Sequence, residues 1–320
     1  MPAAIEAHGL IKRFGKTTAL DGIDITVEEG RVLGVLGPNG AGKTTAVRIL
    51  ATLLKPDGGT ATVSGLDVVH QATAVRRKIG LTGQFASVDE DLTGMQNLVM
   101  IGQLLDLSTR QAKVRVAELL AEFDLTDAAG RLAKTYSGGM RRRLDLSASL
   151  IGRPAVVYLD EPTTGLDPAK RDDVWDMIRV LVKQGTTILL TTQYLEEADA
   201  LANEITVIDH GSIIAHDTPQ GLKRQVGGQT LEVRPTDVTS LPRVRELLVR
   251  YGTREPEQPA PDLLSVSVAS ESAMTTVVAA LAAENISVSE LSLRLPSLDE
   301  VFYSLTGQTK KDETPNGAAA

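Results

Sequence analysis

The 320-residue chain has no cysteine, which excludes disulfides, thiolate catalysis and cysteine metal sites. It is poor in aromatics, with 1 Trp, 5 Tyr and 4 Phe, so an aromatic beside a turn is worth weighing. It has no basic excess: 33 Lys and Arg against 41 Asp and Glu give a net charge of -8, a field that disfavours nucleic acid as a partner. It also lacks any run of ~18 apolar residues, and TTILLTT is far too short to span a bilayer. If the protein works at a membrane, another chain must do the crossing. The opening residues, MPAAIEAHGLIKRFG, show no basic start followed by an apolar stretch, so no secretory signal is expected. His8, His70, His210 and His216 have no paired helical spacing for a metal and read as turn or surface residues.

Hydrophobic residues at 42% and charged residues at 23% are ordinary for a folded chain, and a typical domain of ~150 residues makes two domains the expectation. Alternation at Ile5 to Leu10 and Gly22 to Glu28 reads as two half-buried antiparallel strands around a Gly15-Lys16 turn. Short continuous apolar runs at Val32 to Leu36, Ala155 to Leu159, Thr187 to Thr191 and Ile205 to Ile208 read as strands buried on both faces, the mark of an α/β core with a mainly parallel sheet. A helical subdomain, about residues 86–150, interrupts it: Leu98, Ile101, Leu104 and Leu105, then Val114, Leu119, Leu120 and Phe123, recur at helical spacing. ITVIDHGSIIAHD reads as a hairpin turning at His210-Gly211, and Gly227-Gly228 as a hinge that closes a domain at residue 226. Residues 227–306 read as a small β-α-β-α-β module with a final helix, broken by the proline-rich loop EPEQPAP, and 307–320 as a disordered tail.

Three segments carry chemistry. Gly37-Pro38-Asn39-Gly40-Ala41-Gly42-Lys43-Thr44-Thr45 fits the phosphate-loop pattern and stands where that pattern must, between a buried strand and a helix-like stretch. Its glycines let backbone N–H groups face a triphosphate, and the helix start adds a positive dipole end. Lys43 then bridges the β and γ phosphates and Thr44 holds Mg²⁺. Asp160-Glu161 leaves the carboxyl end of a buried strand, with Asp160 placed to reach Mg²⁺ through water and Glu161 to polarise the water that attacks the γ-phosphate. Ser137-Gly138-Gly139 opens another helix and is a second anion-binding device. With one phosphate loop in the chain, that device is expected to serve a nucleotide held by another copy, hence a head-to-tail homodimer. Arg141 to Arg143 read as a solvated helix face.

The ordered set Gly37 to Thr45, Gln84, Ser137-Gly138-Gly139, Asp160-Glu161 and Gly165-Leu166-Asp167 resembles the ATP-binding subunits of ABC transporters over about residues 4–225. YSGGMRRRLDLSASL, TTQYLEEADALA and LPSLDEVFYSLTG are most similar to the daunorubicin-resistance group, ATPases of drug and lipid exporters. The resemblance implies an ABC-type P-loop ATPase domain followed by a small α/β domain. It implies Phe14 on adenine, Gln84 on Mg²⁺ and the attacking water, and Asp167 beside the nucleotide. It further implies a polytopic permease as partner and a peripheral place on the cytoplasmic face of the cell membrane. A non-transport ATPase acting on ribosome or nucleic acid is the alternative, but such proteins resemble two fused halves or carry a long coiled coil, and this chain shows neither. Tyr136 and Met140 depart from the family's Leu-Ser-Gly-Gly-Gln but match the drug-resistance group. Where the family usually has a histidine on the γ-phosphate stands Gln193, which can donate a hydrogen bond but cannot shuttle a proton.

Overall fold

The computed structural model describes residues 2–83, 88–225, 229–270 and 272–306. Gln84, the Gly227-Gly228 hinge and the tail expected at 307–320 lie outside the described residues. The chain divides into two compact units, one ending at Thr218 and one beginning at Pro219.

In the first unit β1 (Ala3–Phe14) and β2 (Thr17–Glu28) form the expected antiparallel pair and continue into β4 (Gly58–Val63) and β5 (Leu66–Asp67). A second sheet runs β10-β9-β3-β8-β7-β6, from β3 (Val32–Leu36), β6 (Ile79–Thr82), β7 (Val156–Asp160), β8 (Thr187–Thr192), β9 (Glu204–Asp209) and β10 (Ser212–Asp217). All its pairings are parallel except the β9–β10 hairpin. Every residue of β3, β7 and β8 is buried, as continuous apolar runs with cover on both faces require. Val156, Tyr158 and Leu189 pack with the first sheet and with α1 (Lys43–Leu50), while Val157, Leu159, Ile188 and Leu190 pack on the other side against the helices. Because parallel strands end together, β3, β7 and β8 deliver Gly37, Asp160 and Gln193 to one edge of the sheet.

After α2 (Ala72–Arg76) and β6 come α3 (Gly94–Leu104), α4 (Thr109–Glu122) and α5 (Gly138–Leu150). Thr93 with Gln96 and Ser108 with Gln111 form capping boxes that start α3 and α4. The apolar period expected here is only partly the buried face: Leu98, Leu119, Leu120 and Phe123 are buried, whereas Leu104 is 76% and Val114 57% exposed. α6 (Pro168–Lys183) begins with Pro at N1, and α7 (Leu195–Leu201) follows β8.

The second unit contains α8 (Pro219–Gln225), β11 (Gln229–Pro235), α9 (Leu241–Tyr251), β12 (Glu257–Ala260), β13 (Leu263–Val268), α10 (Ser272–Ala283), β14 (Val288–Arg294) and α11 (Leu298–Thr306). Its sheet order is β12-β13-β11-β14, all antiparallel. EPEQPAP is therefore not only a loop, because Glu257–Ala260 pairs with β13 at the sheet edge, a place where proline is tolerated.

Candidate functional site

The phosphate loop leaves β3 with two of its glycines, Gly37 and Gly42, forced by close backbone. A Cβ on Gly37 would lie 2.1 Å from the Ile208 carbonyl oxygen, and one on Gly42 would lie 2.4 Å from that of Ala19. Gly42, at φ 114°, is the N-cap of α1 and supplies no side-chain acceptor, so the helix's first N–H groups are left for something outside the helix. The Ala41 N–H donates to Pro38 O at 3.2 Å, and the Gly211 N–H donates to Ala41 O at 2.9 Å, which ties the loop to the β9–β10 turn. Asn39 and Gly40 are exposed, and Thr44 and Thr45 are half-buried.

Lys43 is only 5% exposed, and its Nζ donates to the carbonyls of Gly37 at 2.7 Å and Pro38 at 3.1 Å. Burial holds its ammonium below the ordinary lysine range, while the facing carboxylates of Glu161 and Asp160 pull it back up. Those contributions place both carboxylates in the field of the phosphate loop. Asp160, buried at the end of β7, accepts a hydrogen bond from the Thr191 hydroxyl of β8. Glu161 has φ 51°, an uncommon conformation for a side chain of its size; its N–H donates to Thr191 O at 2.9 Å and its Oε2 accepts from Thr164 Oγ1 at 3.3 Å. The backbone thus turns at the residue for which a catalytic role is expected.

A second group forms around the start of α5. Ser137, the N-cap, accepts from the Met140 N–H at 3.3 Å. A Cβ on Gly139 would lie 3.1 Å from Lys170 Cδ, and one on Gly138 would lie 4.0 Å from Leu166 Cδ2. Asp167 caps α6 through the Lys170 N–H at 3.1 Å and pairs with the Lys170 ammonium; hydrogen bonds from Lys170 hold its carboxyl below the usual range. Tyr136 points away from this group, buried with its hydroxyl donating to Ala128 O at 2.7 Å. Ser137-Gly138-Gly139 and Leu166-Asp167 thus sit together, while Lys43, Asp160 and Glu161 form the other set.

Phe14 ends β1, is 51% exposed and has Lys12 Nζ 5.6 Å from its ring centroid. Gln193 is exposed between β8 and α7; Tyr194 is the N-cap of α7, with no side-chain cap, and its N–H bonds to Thr192 Oγ1. Gln193 therefore does not cap the helix that follows. The reading of Arg141 to Arg143 as one solvated face is corrected: Arg141 meets Glu90 at 2.7 Å and Arg143 meets Asp173 at 2.9 Å, but Arg142 turns inward, with Nε and Nη2 sealed from solvent. Thr191 and Glu197 escaped the sequence reading, because a threonine in a strand and a glutamate in an acidic helix start carry no local mark.

Comparison with known proteins agrees with this architecture. Residues 20–164 match the ABC transporter family, and residues 218–306 match the C-terminal domain of DrrA1-3-like ATP-binding proteins. The chain is 54% identical over 318 residues to the daunorubicin resistance ATP-binding protein DrrA2 of Streptomyces coeruleorubidus, covering 99% of each. It is 50% identical to the daunorubicin/doxorubicin resistance ATP-binding protein DrrA of Streptomyces peucetius, over 99% of this chain and 96% of that one. To the linearmycin resistance ATP-binding protein LnrL of Bacillus subtilis it is 32% identical, over 96% of this chain and all, 100%, of the other. Among solved structures, an ATP-binding cassette of an ABC transporter in its ADP conformation superposes with TM-score 0.63 at 25% identity, covering 69% of this chain and 93% of that one. A dimeric cassette bound to ADP and phosphate after hydrolysis shares the fold, with TM-score 0.61 at 22% identity over 67% of this chain and 98% of that one. A phosphate loop facing paired carboxylates, on a chain alike from end to end, leaves one assignment: the chain belongs to the ATP-binding subunits of ABC transporters of the daunorubicin-resistance type, and it is an ATPase.

Proposed function

We propose that the protein drives efflux of hydrophobic drugs, antibiotics or lipids through a separate polytopic membrane subunit, as a homodimer on the cytoplasmic face of the cell membrane. The observation that carries the reading is the burial of Lys43 in the field of Asp160 and Glu161 at the ends of parallel strands. Among the described residues no helix is long and apolar enough to cross a membrane, so translocation falls to a partner chain. The relatives are named for resistance to daunorubicin, doxorubicin and linearmycin, which supports export over a role on ribosomes or nucleic acid.

In this reading the N–H groups of Gly40 to Thr45 cradle the phosphates, with Pro38 and Asn39 shaping the turn, and Lys43 exchanges its two carbonyl partners for β- and γ-phosphate oxygens. The Thr44 hydroxyl and the Asp160 carboxylate would hold Mg²⁺, with Gln84 as a further oxygen by the family resemblance alone, since Mg²⁺ needs few protein oxygens when phosphate supplies the rest. Among the described residues no cluster of three or more His, Cys, Asp or Glu offers an all-protein cage instead. When bound, Mg²⁺ supplies charge neutralisation at the phosphate oxygens. Glu161, aimed by its left-handed backbone, holds the attacking water and takes its proton, while Gln193 donates to the γ-phosphate. Phe14 stacks on adenine. Ser137 to Gly139 and Asp167, which group around Leu166 and Lys170, face the nucleotide of the second copy.

Recovery of the tagged full-length chain from detergent-solubilised membranes tests both halves. A polytopic chain should accompany it, and Glu161→Gln should keep ATP binding while hydrolysis falls at least about a hundredfold, since an amide cannot take the proton. Recovery with ribosomes or nucleic acid would sink export, and wild-type turnover in Glu161→Gln would remove Glu161 from catalysis.

A further inference from the structure

Behind the site lies a buried polar cluster that none of these roles uses. The Nη1 of Arg142, on α5, donates at 3.4 Å to the O of Gly83, the first residue after β6. Its Nε and Nη2 are buried and make no hydrogen bond among the described residues, and its charge faces Asp145, Glu197 and Asp160. Glu197, in the first turn of α7, is 0% exposed. Its Oε1 accepts from Trp175 Nε1 of α6 at 3.2 Å, its Oε2 finds no partner within hydrogen-bond geometry among the described residues, and the hydroxyls of Thr192 and Thr163 lie beside the carboxyl. Burial pushes that carboxyl above its ordinary range, against the neighbouring hydroxyls, the indole N–H and the Arg142 charge.

Two opposite ionisable groups buried without a direct hydrogen bond between them do not stabilise a fold efficiently, because each loses hydration that the other only partly replaces. Their neighbours supply a different reason for the arrangement. Gly83 precedes Gln84, Thr163 follows Glu161 by two positions and Thr192 precedes Gln193. Trp175 stands on the helix that Asp167 caps, and Arg142 on the helix that Ser137 caps. Every segment expected to present a group to ATP, apart from the phosphate loop itself and Phe14, places a residue in this one cluster.

We propose that Arg142 and Glu197 are a positioning pair, which holds Gly83 and the Glu161 and Gln193 segments in register with α5 without touching the nucleotide. The proposal rests on the site described above. A misplacement of about 1 Å in such a constellation costs on the order of a hundredfold in rate while leaving phosphate-loop binding intact.

The test is steady-state hydrolysis and ATP titration on the full-length chain carrying Arg142→Met, Glu197→Gln, both, or Arg142→Lys. Each of the first two should lower kcat at least about tenfold with ATP affinity held within about twofold. The double variant should lose no more than the worse single one, since two members of a pair act as a unit. Arg142→Lys, which keeps charge but not the planar fork, should recover part of the loss. Unchanged kcat in Arg142→Met, losses that multiply in the double variant, or losses that follow ATP affinity would each overturn the pair. If Glu197→Gln does not fold, Arg142→Met and Arg142→Lys still decide: equal kcat in the two removes the pair. Failure of the site itself is read separately, from a Glu161→Gln chain that still turns over.

Discussion

Helices α1 and α5 both begin at glycine-rich turns, and both are read as facing phosphate, yet their first turns are built on opposite terms. At α1 the cap is Gly42 in a left-handed conformation, without a side-chain acceptor, and Lys43 behind it is buried. At α5 the cap is an extended Ser137 whose own hydroxyl already takes the Met140 N–H, and Ser137 and Gly138 are exposed. Backbone from Ala19 and Ile208 and the Leu20 side chain close around the α1 loop, while Gly138 has nothing nearer than 4.0 Å to an added Cβ. One helix start is a cradle finished within the chain. The other is a capped helix start that the single chain leaves exposed.

Alanine at the two glycines should show that contrast most widely. Gly42→Ala meets the Ala19 carbonyl at 2.4 Å and must keep φ 114°, so we expect about 2–4 kcal/mol of lost stability and at least a hundredfold weaker ATP binding. Gly138→Ala should stay within about 1 kcal/mol of the parent, with ATP binding by a single chain unchanged. Denaturant midpoints and an ATP titration on both variants measure the contrast, and equal losses would erase it.

The α1 cradle was legible in the sequence because its constraints are local: nine consecutive residues specify strand, turn, glycine and helix. Four of the five parallel strands were legible for the same reason, each built on a short apolar run, whereas β6, a four-residue IGLT broken by glycine, was not. What escaped depends on partners far along the chain. β4 pairs with β1 across more than forty intervening residues, and its GGTATV has little apolar weight of its own. Leu104 and Val114 fit a helical period but sit on its outer edge, since a period locates a stripe without saying how wide the covered part is. Arg142 looks like its two arginine neighbours until the fold buries its Nε and Nη2 and brings Glu197 of α7 to face its charge. The short strand Glu257–Ala260 hid behind its proline, which only an edge position permits.

Gln193 sharpens the comparison by asking what completes the α1 side. It emerges from β8, whose neighbour in the sheet, β3, ends at Gly37, so its contribution should come from the same chain that holds the phosphates. With Tyr194 as the α7 cap, a structural reason for the glutamine is gone. Gln193→Ala should lower kcat ten- to a hundredfold, the loss of one charge-assisted contact of ~1.5–3 kcal/mol, and Gln193→His should retain most of it. An alanine variant with unchanged kcat per ATP-binding chain would remove Gln193 from the γ-phosphate.

The smallest effect bears most directly on what α5 is offered to. If Ser137 to Gly139 complete a site on the second copy, a Lys43→Ala chain and a Gly138→Asp chain are each inactive alone, for different reasons. In a mixed dimer the two lesions fall on one composite site and leave the other intact. Random pairing at equal amounts makes half the dimers mixed, so hydrolysis should return to at most roughly a quarter of the parent value. Aspartate is chosen because an exposed glycine tolerates its size while its charge opposes phosphate at the helix start, so folding is preserved as the anion site is lost. If α5 served the nucleotide of its own chain, each composite site would carry one lesion, and the mixture would be as silent as its components. Differently tagged chains recovered together, and assayed after the mixed species is isolated, separate that result from a failure to pair.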